Sequence, residues 1–156
     1  MSATSDSTWF VTEESRVVIG CEVGENSGKS LKTLEFTVLG DPEKIDGGSF
    51  NRTVLAGEFR DVVIDMLDLA NVDCRNDVFE ENTQVHVDMF VKYSDKGSNS
   101  YSGGFMRRNE EELMDFLLDS LEFGVVGRES VVSKEVTKVC MGGTGGVTVS
   151  IKEIDE

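Results

Sequence analysis

Imidazole is scarce in this sequence. His86 is the single histidine in 156 residues, so any serine or cysteine nucleophile needing a positioned base has one candidate partner. It stands in an alternating stretch with Gln84, Asp88 and Lys92, on what the alternation makes the solvent face, and no GxSxG elbow surrounds a serine. Cysteine is nearly as scarce. Cys21, Cys74 and Cys140 are far apart, odd in number and without a CxxC. A structural zinc site therefore lacks ligands, and buried free thiols are expected. Proline occurs once, at Pro42. No apolar run approaches the ~20 residues of a membrane-spanning helix. Residues 1–8, MSATSDST, lack the basic start and apolar centre of a signal peptide. They read as a flexible tail before a single domain over 9–156, expected in the cytoplasm, of the host if the protein is viral.

Positive charge is short as well. Fifteen Lys and Arg face 30 Asp and Glu, for a net charge of −15. A nucleic-acid backbone or an anionic membrane asks for a basic patch, so neither is expected to bind directly. A cationic partner is favoured. Gly142–Gly146, GGTGG, raises the question of a phosphate cradle. It lacks the lysine of a P-loop and leads into a strand, so it reads as a flexible hairpin tip. No calcium loop of the DxDxDG form is present. Asp88 with Lys92, and Asp41 to Lys44, are the nearest approaches to a magnesium-dependent nuclease site, of a kind expected by coincidence among 30 acids. No catalytic residue, metal ligand or cofactor is assigned.

Hydrophobic residues make up 38% of the chain, with nine Phe and one Trp, which is enough for a core. Arg16–Val23 is rich in β-branched residues, and Leu31–Leu39 alternates, so the two predict an antiparallel hairpin. Residues 40–49 read as loop. A helix is predicted from Thr53 to Ala70, with Leu55, Phe59, Val62, Val63, Met66, Leu69 and Ala70 as its buried stripe and Asn71 as its C-terminal cap. Residues 71–83 are polar and predict loop or a short helix. Gln84–Tyr93 alternates, Ser94–Asn99 predicts a turn, and Ser100–Arg107 a return strand. A second helix starts at Asn109, with Glu112 completing a capping box, and ends at Gly124. Val131–Met141 and Val147–Ile154 predict a third hairpin around GGTGG. The order ββα-ββα-ββ implies an α+β fold, a mainly antiparallel sheet with both helices packed on one face.

Glu58–Leu69 (EFRDVVIDMLDL) and Glu112–Phe123 (ELMDFLLDSLEF) are written alike at a shift of 54 residues. Four of the twelve pairs are identical and six more keep their class. An internal duplication is one explanation; the shared pattern of acidic amphipathic helices is the other. In both copies the acids are spaced 3, 4 and 3 residues apart, which aligns them on one helical face. Glu58, Asp61, Asp65 and Asp68 make the first row. Glu112, Asp115, Asp119 and Glu122 make the second, with Glu111 beside it. Like charges at such spacing repel by a few tenths of a kcal/mol per pair, so local stability does not select the pattern. The plainer reading is a solvated face of a generally acidic protein. The sharper one is a contact surface. It makes the chain a small acidic inhibitor that blocks a basic protein, such as a nuclease or another nucleic-acid-binding protein, as DNA mimics and immunity proteins do by charge. A homo-oligomeric assembly subunit, with a homodimer as its simplest form, and a metal-dependent hydrolase are the alternatives.

Overall fold

The computed structural model describes residues 9–12, 15–42, 49–73, 78–94, 110–122, 124–141 and 143–155. Its elements are β1 (Trp9–Phe10), β2 (Val18–Val23), β3 (Ser30–Gly40), α1 (Ser49–Leu69), β4 (Val85–Ser94), α2 (Glu110–Leu121), β5 (Val131–Met141) and β6 (Gly146–Glu153), with a 3-10 turn at Arg128–Ser130. The fold is α+β: a mixed sheet of six strands, mostly antiparallel, and two helices. β1 and β2 pair with different stretches of β3, and the order then runs β3-β6-β4-β5. Only β4 and β5 are parallel.

One face of the sheet is apolar because strand side chains alternate. Leu34, Phe36 and Val38 of β3, Val147, Val149 and Ile151 of β6, and Val85, Val87, Met89, Val91 and Tyr93 of β4 are buried there. Phe59, Val63, Met66 and Leu67 of α1 and Leu113, Phe116, Leu117 and Leu121 of α2 belong to the same core. Trp9, Phe59 and Phe116 meet at its centre. Trp9 lies edge-on to Phe59 at 5.1 Å between ring centroids, and Phe59 and Phe116 are 5.4 Å apart. β1, α1 and α2 are thus joined through three rings.

The first hairpin forms as expected, with Ile19 opposite Leu34 and Val23 opposite Ser30. The third does not. β6 is inserted between β3 and β4 and pairs with both, while β5 is displaced to the edge. β6 is apolar on its inner face and can lie centrally. β5 carries Lys134, Glu135 and Lys138, the charges of an edge strand. The expected return strand over 100–107, most of its turn, the tail 1–8 and the cap at Asn109 lie outside the described residues.

Other expectations are corrected in detail. Along α1, Leu69 is 81% exposed and Ala70 is exposed, while Leu67 is fully buried. The chain turns there: Asn71 adopts φ 64°, its N–H bonds Asp68 O at 3.0 Å, and the Val72 N–H bonds Leu67 O at 2.9 Å. This Schellman turn packs Val72 against the core beside Leu67. The cap at Asn71 is as expected. Cys21 and Cys140 are exposed rather than buried, because both stand on strands at the border of the sheet, β2 and β5, where most side chains are exposed. Cys74 is outside them. The polar stretch 71–83 also contributes to the core. Val78 and Phe79 are buried, and the Phe79 N–H bonds Val125 O at 2.9 Å in the turn after α2. No described helix is long and apolar enough to cross a membrane.

Candidate functional site

Glu58, Asp61, Asp65 and Asp68 are all exposed on α1. The apolar residues of that helix bury the opposite side, which leaves the acids facing water. None of the four is in an ion pair among the described residues. From Glu58 to Asp68 the row extends about 15 Å along the axis.

The α2 row differs. Glu111 is exposed, but Glu112, Asp115, Asp119 and Glu122 are half-buried. Arg128, at the start of the 3-10 turn, folds back onto three of them. Its Nη1 donates to Asp115 Oδ1 at 3.2 Å, its Nη2 donates to Asp119 Oδ1, and its Nε lies 3.9 Å from Glu122 Oε1. One planar guanidinium with five donors suits several acceptors at once. The second row therefore carries its own counter-charge and the first does not. Sequence reasoning missed Arg128 because it lies outside the helix. The available signal was a base following six acids that have no basic neighbour between residues 109 and 122. Glu111 lines a shallow groove of about 260 Å³ with Glu110, Met114, Lys134, Glu135 and Val136.

The other face of the sheet is polar and open. Across β3, β6, β4 and β5 the register sets Glu35, Ser150, Asp88 and Glu135 in one row, and Thr37, Thr148, Phe90 and Thr137 in the next. His86 and Lys92 lie on this face with Asp88, as the alternation predicts. His86 Nδ1 is 2.7 Å from Ser133 Oγ, and its Nε2 is 2.9 Å from Asp88 Oδ1. Thr37, Leu39, Phe90, Lys92, Gly143, Thr144, Gly146 and Thr148 line a concavity of about 410 Å³.

The glycine run is not a hairpin tip. Its described residues, 143–146, lead into β6, which pairs with β3 and β4 and not with β5. A Cβ on Gly145 would stand 2.8 Å from Lys92 O and 2.9 Å from Gly40 O, and one on Gly146 would stand 2.8 Å from Val38 O. Glycine is needed there for close backbone approach. Farther along this sheet, Asp155 closes the β2–β3 turn. Its carboxylate accepts from the Asn26 N–H at 2.8 Å, the Ser27 hydroxyl at 2.8 Å and the Ser27 N–H at 3.2 Å. These bonds, the Asn26 N–H foremost, hold its carboxyl below the usual range.

No protein-family model matches the chain, and no curated protein matches it.

Proposed function

We propose that the protein is a small acidic binding protein that occludes the basic groove of a cationic partner, a nuclease or another nucleic-acid-binding protein. The row Glu58, Asp61, Asp65 and Asp68 on α1 is its principal contact. The observation that carries this reading is that these four carboxylates are exposed, aligned and without a basic partner among the described residues, on a chain of net charge −15. Neighbours in the row are ~4.5–6 Å apart along the helix axis, a linear array of negative charge like that of a phosphate backbone. Such an array attracts Lys and Arg over a distance and speeds association. The α2 row, held by Arg128, is the weaker flank of the surface.

The test is charge reversal of each row. A partner captured from native host lysate is titrated with wild type, with Asp61, Asp65 and Asp68→Lys, and with Asp115, Asp119 and Glu122→Lys. The α1 triple keeps the fold and weakens binding by orders of magnitude, mainly through slower association. Wild-type affinity falls as salt shortens the Debye length to ~8 Å and below. The α2 triple sets three lysines around Arg128, so its first effect is lower thermal stability. Unchanged affinity and salt dependence in the α1 triple would refute the reading.

One observation favours a second reading, assembly with copies of itself. Val18, Ile19 and Val23 of β2 are exposed, and the outer edge of β5 is unpaired among the described residues. Gel filtration tests this second reading, which requires elution above the mass of one chain.

A further inference from the structure

We infer that His86, Asp88 and Glu135 form a binding site for a divalent transition-metal ion on the open face of the sheet, with Ser133 orienting the imidazole. The row on α1 plays no part in it. Alternation places His86 and Asp88 on the same side of β4, and the parallel register places Glu135 of β5 beside Asp88. One ligand atom from each of the three lies within 4.8 Å of the others. Ligand atoms around an ion with bonds of ~2.0–2.2 Å are separated by roughly 3–3.5 Å, so small side-chain rotations suffice to enclose it.

The surroundings of His86 fit this use. A metal-bound imidazole gives the ion one nitrogen and donates a hydrogen bond from the other. Ser133 Oγ lies 2.7 Å from Nδ1, and a hydroxyl can accept as readily as donate. Without an ion, the tautomer that carries Nε2–H donates to Asp88 and accepts the hydroxyl at Nδ1. With one, the hydroxyl accepts from Nδ1–H, and the Nε2 lone pair turns to the metal between the two carboxylates. The site thus exchanges one satisfied arrangement for another. Lys152 is the β6 neighbour of His86, on the flank away from Ser133, which sets the ion toward β5. One nitrogen and two carboxylates suit Zn2+ or Mn2+ better than Mg2+, which keeps to oxygen ligands. Three protein ligands leave a coordination position open to solvent.

The experiment uses the one histidine as its reporter. Long-range 1H–15N spectra of the tag-free, 15N-labelled chain are recorded as Zn2+ is added. Exposed Cys21 and Cys140 compete for zinc, so the imidazole signal, not the bulk stoichiometry, decides. The expected result is a metal-bound Nε2 and a protonated Nδ1. Glu135→Gln and Asp88→Asn should each raise the zinc concentration needed by at least tenfold, and Ser133→Ala by about tenfold. An imidazole spectrum unmoved by Zn2+, with uptake at the thiols alone, overturns the inference. So does an unchanged imidazole titration in Glu135→Gln.

Discussion

Gly57 lies within α1, and a Cβ added to it meets nothing within 4 Å. Glycine there brings the entropy cost of a flexible backbone without a steric reason. Gly57→Ala should stabilise the protein by about 0.5–1 kcal/mol, read as a higher urea midpoint at unchanged slope. A loss of stability would show that this turn of the helix is not open. Asp155 makes the opposite kind of contribution, through a defined set of bonds. Its carboxyl is held low in the folded state, so its stabilisation is present above the ordinary carboxylate range and is lost as pH falls through the depressed value. The Asn26 and Ser27 amides should stay protected from hydrogen exchange at neutral pH and lose protection in acid. Asp155→Asn should remove most of that difference.

At the scale of elements, Phe59 joins α1 to β1 and α2 through Trp9 and Phe116. Phe59→Ala should cost ~3–5 kcal/mol in urea unfolding, as aromatic truncations in a core do. A loss below about 1 kcal/mol would mean that the three elements do not depend on one another. The α1 buried face was legible in the sequence because Phe59, Val63 and Met66 repeat at helical spacing. Its end was less so, since Leu67 and Leu69 are equally apolar and only the turn at Asn71 decides between them. The first hairpin was legible from alternation. The pairing of β6 was not: alternation tells which face a residue takes, not which neighbour a strand takes. The acid rows were legible as rows. That Arg128 holds one of them depends on a turn outside the helix, and that Ser133 meets His86, 47 residues before it, depends on the register between β4 and β5.

For the whole molecule, the two faces divide the labour proposed above. The helices present aligned carboxylates, one row without a basic partner among the described residues and one held by Arg128. The open face of the sheet holds the His86 cluster and the concavity beside the glycine run. If the two are separate, His86→Ala abolishes zinc binding and leaves binding of a cationic partner unchanged, while the α1 triple reversal does the reverse. Loss of partner binding in His86→Ala with the fold intact would place both activities on one surface.

The position of β6 also governs the order in which the molecule can be made. A ribosome releases β3 and β4 long before residues 146–153, yet these two strands are never neighbours; each must leave a strand-wide slot facing the other. Until β6 emerges, two apolar strand sets and both helices have no finished sheet to close upon. The native sheet cannot be completed before residues 146–153 are available, because completing it means inserting a central strand between partners distant in sequence. Such long-range closure is slow and leaves unpaired edges exposed meanwhile. A net charge of −15 then sets unfinished chains against one another through mutual repulsion.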